Sequence, residues 1–240
     1  DCTGCGVCVS ICPAKSKEEV KHKAINMEPK LDHLEAERES YDYFLKIPDL
    51  DRHLARANTV KGSQLLLPLF EYNGACAGCG ETPYVKLMTQ LFGDRLIIGN
   101  ATGCSSIYGG NLPTTPYTTN AEGYGPTWSN SLFEDSAEFG LGFRLAFDEK
   151  QQLAVNLCQQ LASQIGDDLV GELIANAPKQ YTEDEIRDQR IRVKELLKRL
   201  AGIDSAEARR LAGVAEALTR RSVWALGGDG WAYGIGFGGL

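Results

Sequence analysis

No apolar run in this 240-residue sequence approaches the roughly 18 residues needed to cross a bilayer; residues 65–70 form only a short run of the buried type. The sequence also lacks the charged, apolar and then small-residue opening of a secretory leader. Positive charge is not in surplus, since 25 Lys and Arg face 32 Asp and Glu for a net −7, and basic residues keep to patterned stretches such as 192–199. Without a basic face there is no electrostatic footprint for nucleic acid. These absences predict a cytoplasmic chain with neither membrane nor nucleic acid among its partners, in which the single sequon Asn100-Ala101-Thr102 carries little meaning. Disorder is excluded by a composition that is 43% apolar and 24% charged. The length suffices for one large domain or two small ones.

What is present is sulfur, unevenly placed: four of the eight cysteines fall in the first twelve residues. Spacings of two or three residues in a chain without secretory features point to metal or redox chemistry rather than to a disulfide framework. Cys2-Thr3-Gly4-Cys5-Gly6-Val7-Cys8-Val9-Ser10-Ile11-Cys12-Pro13 has the bacterial ferredoxin spacing for [4Fe–4S] ligation, in which three thiolates grip one cubane and the fourth usually ligates a second. Gly4 and Gly6 would let the backbone fold closely around a cluster, and Pro13 would turn the chain away. Zinc, or a coincidental set of buried thiols, is the competing reading, but zinc loops rarely end this way in Cys-Pro.

Cys76-Ala77-Gly78-Cys79-Gly80 is ambiguous on its own between a redox dithiol, zinc and a cluster. Cys104, at the mouth of a strand, suggests a third ligand. If both sets hold cubanes, Cys2, Cys5 and Cys8 lack one partner, Cys12 lacks three, and Cys76, Cys79 and Cys104 lack one. Cys158 reads as a buried small hydrophobe between Leu157 and Leu161. That deficit, an opening directly inside the cysteine run and a close on a glycine-rich passage predict an internal piece of a longer polypeptide.

Three regions follow along the chain. Residues 1–30 hold the cysteine run and a strand candidate at 24–27, and residues 31–70, charged and containing Pro48 and Pro68, read as a connecting arm. Residues 71–240 read as an α/β domain. Within it Thr82-Pro83 starts a helix with Val85, Met88, Leu91 and Phe92 on one face, stopped by Gly93. The strand at 96–99 follows, then a long loop rich in Gly, Pro and Thr through Trp128, of the sort that is usually functional. Ser131 with Glu134 is a capping-box signature for a helix to about Ile165, with a kink at Gly140 and Gly142. Thr182 with Glu185 repeats the signature, with Ile186, Val193, Leu196, Leu197 and Leu200 on one face until Gly202; a further helix carries Leu211, Val214 and Leu218. The last strand, 222–226, runs into Gly227-Gly228-Asp229-Gly230, which puts ligand contacts at a strand's carboxyl end.

A carboxylate between two glycines at such an end suits Mg²⁺ and a diphosphate, and this is the opening of the thiamine diphosphate motif. An ordinary glycine-rich turn is the competing reading. Residues 234–239 satisfy G-x-G-x-x-G, but no strand immediately precedes them, which discards a dinucleotide site.

Four blocks taken in order resemble pyruvate:ferredoxin (flavodoxin) oxidoreductase across nearly the whole chain: the Cys-x-x-Cys-x-x-Cys-x-x-x-Cys-Pro-Ala run, Tyr72-Asn73-Gly74-Ala75-Cys76-Ala77-Gly78-Cys79-Gly80-Glu81-Thr82-Pro83-Tyr84, Asn100-Ala101-Thr102-Gly103-Cys104-Ser105-Ser106-Ile107-Tyr108-Gly109-Gly110, and Gly227-Gly228-Asp229-Gly230-Trp231-Ala232-Tyr233. The resemblance implies the tail of a two-[4Fe–4S] ferredoxin-like domain (1–30), then the arm, then the N-terminal part of a thiamine-diphosphate-binding domain (71–240) with an open, mostly parallel sheet. It implies oxidative decarboxylation of pyruvate with coenzyme A to acetyl-CoA and CO₂, with electrons passed through [4Fe–4S] clusters, three in the full-length enzyme, to ferredoxin or flavodoxin. Cys76, Cys79 and Cys104 would then hold the cluster nearest the thiamine, with Glu81 and Cys104 also bordering the cofactor. Gly228, Asp229, Gly230 and Trp231 would meet the diphosphate, Asp229 on Mg²⁺, and Cys2, Cys5, Cys8 and Cys12 would hold the relay clusters. The full-length enzyme would be a homodimer, and the 240-residue piece alone would turn nothing over. A sister 2-oxoacid:ferredoxin oxidoreductase would share these cofactors but is usually divided among subunits. A plain electron carrier would need only the cysteines and leave the thiamine half unexplained.

Overall fold

The computed structural model describes residues 4–109 and 114–233. The chain divides into two compact units, Asp1–Leu91 and Phe92–Leu240.

The first unit begins with the cysteine loop. Gly6 adopts φ 74° and opens the single turn α1 (Val7–Ile11), whose end is closed by Cys12 N–H donating to the Cys8 carbonyl. Lys23 donates its ammonium to the Val9 and Ser10 carbonyls, satisfying groups the short helix leaves open. Asn26 in turn pairs with both the N–H and the carbonyl of Lys23. Residues 24 and 25 form a bend and 26 and 27 are irregular, with an antiparallel bridge only between Lys15 and Lys23, so the expected strand there is absent. The expected arm contains α2 (Lys30–Phe44), which buries no residue, and α3 (Val60–Gln64), capped by the Thr59 hydroxyl.

The unit ends on α4 (Thr82–Phe92), begun at Thr82-Pro83 as the sequence predicts, with Val85 and Met88 buried. Gln90, fully buried, donates to the Leu66 carbonyl at 2.8 Å and accepts from Gln64 at 3.2 Å, so its amide does not cost the several kcal/mol of an orphaned group. The Arg52 guanidinium donates to the Gln90 and Leu91 carbonyls at the helix's carboxyl end, where cations are favoured.

The second unit is an α/β arrangement around β1 (Leu96–Ala101), β2 (Thr127–Ser131) and β3 (Ser222–Leu226), all parallel in the order β2-β1-β3. Asn100 lies level with Asn130 on one side and Leu226 on the other. β2 was not expected: Trp128 belongs to a strand, and the long loop ends before it. Ser131 does not cap a helix, because its hydroxyl is engaged with the Asn100 and Leu132 carbonyls at the end of β2. The long helix α5 (Ser136–Gln160) starts five residues later with Asp135 at its N-cap and runs unbroken through Gly140 and Gly142; the interruption falls at Leu161, before α6 (Ala162–Ile165).

Gly140 is where α5 meets the sheet: a Cβ there would stand 3.5 Å from the Ala225 Cβ, and one at Gly99 would stand 3.4 Å from the Gly140 Cα. Gly142, on the open side, has nothing within 4 Å. Gly142→Ala is therefore expected to stabilise the unit by about 0.5–1 kcal/mol through helix propensity, read as a raised midpoint in urea, whereas Gly140→Leu is expected to lower it through overpacking.

Between α5 and β3 stand α7 (Asp167–Asn176), α8 (Glu183–Leu200) and α9 (Ala206–Val214), followed by a 3-10 turn at Ala215–Leu218. Leu157, Cys158, Leu173, Val193, Leu196, Leu211 and Leu218 are among the residues that close a single apolar core. Leu218 contributes from the 3-10 turn, not from the helix predicted to carry it. At the start of α8 the capping box forms as expected: Thr182 Oγ1 accepts from Glu185 N–H at 3.2 Å, and Glu185 accepts from Thr182 N–H at 2.8 Å.

The Thr182 and Tyr181 backbone N–H groups, with the Thr182 hydroxyl, hold the Glu185 carboxyl below its usual 4.5. A depressed folded value means the stabilisation is present above the unfolded pKa and lost as pH falls through the folded one. The stability difference between the wild type and Glu185→Gln is thus expected at neutral pH and to vanish in acid; a difference that grows on acidification would contradict the box.

Candidate functional site

Parallel strands put all three carboxyl ends on one edge of the sheet, where ligand contacts gather in open α/β folds. β1 delivers Thr102-Gly103-Cys104-Ser105-Ser106, β2 delivers Leu132, and β3 delivers Gly227 and Gly228 followed by α10 (Asp229–Tyr233). The glycine turn expected after β3 thus leads straight into a short helix that begins at Asp229. Gly227 cannot carry a side chain, because a Cβ would lie 2.5 Å from the Trp231 ring and 3.0 Å from the Ala101 Cβ. Trp231 is thereby packed onto the end of β3, with its indole N–H buried and without a partner.

Cys104 opens a 3-10 turn (Cys104–Tyr108) and is exposed. Its flanking residues are held by a polar network. Ser106 Oγ accepts from Gly103 N–H at 3.1 Å and donates to Asn130 Oδ1 at 3.0 Å. Asn100 Nδ2 donates to Asn130 Oδ1 at 2.8 Å and to Ser106 Oγ at 3.3 Å. Asn130 Nδ2 donates to Thr102 Oγ1 at 2.6 Å, and Thr102 donates its hydroxyl to the Ser131 carbonyl. Asn100 is fully buried and its Oδ1 has no partner. Of these residues only Cys104 was assigned a role from the sequence; Asn130, between the expected loop and the Ser131 capping signature, carried no signal beyond the polar repeat Ser129-Asn130-Ser131.

The other cysteines lie in the first unit. Cys5, Cys8 and Cys76 are exposed, and Cys12 and Cys79 half-buried. Gly4, Gly6 and Gly78 take φ of 71°, 74° and 73°, conformations that glycine adopts without strain, and a Cβ would meet nothing at any of them. The turns around the cysteines are thus open loops of glycine-dependent shape. Backbone hydrogen bonding at Ala14, ahead of opposing desolvation and of lesser help from the Ile25 and Ala24 backbone and Lys23, lowers the Cys12 thiol pKa. Cys158 is the opposite case: fully buried on α5, its thiol is pushed up to about 11 by desolvation, as a packing residue should be.

Cys2 and the G-x-G-x-x-G stretch lie outside the described residues, as does the Asp229 side chain. Among the described residues no three Cys, His, Asp or Glu side chains are gathered as a metal site, and no helix is long and apolar enough to cross a membrane. Open glycine turns with exposed thiols, and orphaned polar atoms of Asn100 and Trp231 at the sheet edge, are compatible with iron–sulfur ligation and with a polar cofactor respectively.

No family model matches the chain. It is 56% identical over 244 residues to the pyruvate-flavodoxin oxidoreductase of Trichormus variabilis and 54% identical over 240 residues to that of Rhodospirillum rubrum. It is 45% identical over 245 residues to the pyruvate:ferredoxin oxidoreductase of Moorella thermoacetica. Each match covers the whole chain and 20% of the relative, so the chain spans about a fifth of the length of the curated relatives it matches. Over its whole length the chain is thus similar to a stretch of proteins named pyruvate-flavodoxin oxidoreductase.

Proposed function

We propose that this chain is the part of a pyruvate:ferredoxin/flavodoxin oxidoreductase that joins the electron relay to the thiamine centre. The whole protein oxidatively decarboxylates pyruvate with coenzyme A to acetyl-CoA and CO₂ and hands the electrons to ferredoxin or flavodoxin, as a cytoplasmic homodimer. Residues 1–30 are the end of a two-cluster ferredoxin-like domain, 31–70 a connecting arm, and 71–240 the N-terminal part of the thiamine-diphosphate-binding domain.

In this assignment Cys2, Cys5, Cys8 and Cys12 ligate relay [4Fe–4S] clusters, and Cys76, Cys79 and Cys104 ligate the cluster nearest the thiamine. Asp229 holds Mg²⁺, while Gly228, Gly230 and Trp231 contact the diphosphate and Glu81 borders the cofactor. When bound, thiamine diphosphate supplies the carbanion and electron sink, and the clusters supply one-electron acceptors. The chain's own contribution is placement: Gly227 lets Trp231 lie against the strand ends, and the indole N–H is a donor with no protein partner, suited to a phosphate oxygen.

The observation that carries the reading is the single sheet edge at which Cys104 and the Gly-Asp-Gly turn both emerge, in a chain similar over its whole length to such oxidoreductases. Its test is substrate choice by the full-length protein. Pyruvate with coenzyme A is expected to reduce a low-potential dye, and reduction by 2-oxoglutarate but not pyruvate would shift the assignment to a sister oxidoreductase.

A further inference from the structure

Cys104 is exposed on a turn of five residues, so its own side chain does not fix its place. The residues two before and two after it, Thr102 and Ser106, are both tied to one side chain on the neighbouring strand. Asn130 Nδ2 donates to Thr102 Oγ1 at 2.6 Å, and its Oδ1 accepts from Ser106 Oγ at 3.0 Å. Asn130 is itself aligned by Asn100, its partner on the same rung of the sheet, whose Nδ2 reaches Asn130 Oδ1 at 2.8 Å and Ser106 Oγ at 3.3 Å.

The two hydroxyl directions follow from the groups around them. The Thr102 hydroxyl hydrogen goes to the Ser131 carbonyl, so Thr102 Oγ1 has only acceptor capacity left and needs a donor opposite it. The Ser106 hydroxyl hydrogen goes to Asn130, which leaves its lone pairs for Gly103 N–H and Asn100. Only an amide at position 130 serves both sides. An aspartate of the same shape would set oxygen against oxygen at Thr102.

We propose that the Asn100–Asn130 rung is a positioning device for Cys104: it clamps the turn on both sides of the cysteine and so sets where the thiol stands at the sheet edge. This rests on the reading of Cys104 as a cluster ligand. Asn130 is a positioning residue, acting through Thr102 and Ser106. It is exposed, so an isosteric change there leaves the core untouched.

The test uses the full-length enzyme with Asn130→Asp, Ser106→Ala and, as a control, Ser129→Ala, whose side chain alternates to the other face of β2. Amide exchange at Gly103 and Ser106 is expected to speed up about tenfold in Asn130→Asp and Ser106→Ala, the scale of one or two lost hydrogen bonds. The electron paramagnetic resonance signal of one reduced cluster is expected to shift, and kcat to fall about tenfold with KM for pyruvate unchanged, because a displaced ligand alters electron transfer and not substrate binding. Wild-type exchange and an unshifted signal in Asn130→Asp would overturn the proposal, as would an equal change in Ser129→Ala. Retention of full iron by Cys104→Ser would instead overturn the ligand reading, and amide exchange would still decide the clamp.

Discussion

Cys104→Ser in the full-length protein is expected to remove about four iron atoms per chain and to reduce pyruvate-dependent acceptor reduction at least about a thousandfold, while leaving the fold intact. The fold should survive because Cys104 is exposed and the turn around it is held by backbone and side-chain bonds that do not use its thiol. Serine keeps the shape but is a far poorer ligand, since the thiolate is the form that binds iron. Cys158→Ser is the contrasting variant. Its thiol is buried and held protonated, pushed up to about 11, so replacing it should leave iron content unchanged and lower stability by burying a hydroxyl in the apolar core. Iron analysis and unfolding midpoints on the two variants check both halves. Iron loss in Cys158→Ser, or none in Cys104→Ser, would reverse the assignment.

The second large effect concerns stability. Asp94 lies in the 3-10 turn that enters β1 and pairs with two arginines, Arg95 at 2.8 Å and Arg190 of α8 at 2.7 Å, both nearly buried; Arg190 also donates to the Asp94 carbonyl. Arg95 continues to Glu183 at 2.7 Å, and Arg190 lies over the Tyr124 ring at 4.1 Å, so α8 holds both the entrance to β1 and the loop ahead of β2. Removing Asp94 takes the carboxylate from the nearly buried Arg190 and leaves Arg95 with Glu183 alone. Asp94→Ala is expected to cost about 3–5 kcal/mol in urea unfolding, against roughly 0.5 kcal/mol or less for Asp148→Ala, whose pair with Arg144 is exposed. Equal costs would show that burial is not what gives the Asp94 network its weight.

Legibility in the sequence followed physical cause. α4, β1 and α8 could be read because local signals agree with their burial: Thr82-Pro83 and the Thr182–Glu185 box start helices, and Leu96 and Ile98 are fully buried; β3 was read from its apolar run alone. β2 could not, because Thr127-Trp128-Ser129-Asn130-Ser131 is polar and buries only its last residue; it is a strand because β1 offers it a ladder. The same holds for Ser131, whose capping signature lost to the Asn100 carbonyl across the sheet. The cysteine spacings are local, as is the need for close-folding glycines at Gly4 and Gly6, which take left-handed φ; the same conformation at Gly78 was not read. The clamp around Cys104 and the Asp94 network were not, since they join residues as far as 96 positions apart through side chains that carry no periodic signal.

The central claim, that one chain carries both electron relay and thiamine centre, is tested most directly by cofactor stoichiometry of the anaerobically purified full-length protein. About twelve iron atoms and one thiamine diphosphate per chain are expected. About eight iron atoms with no thiamine diphosphate would contradict it and leave an iron–sulfur electron carrier.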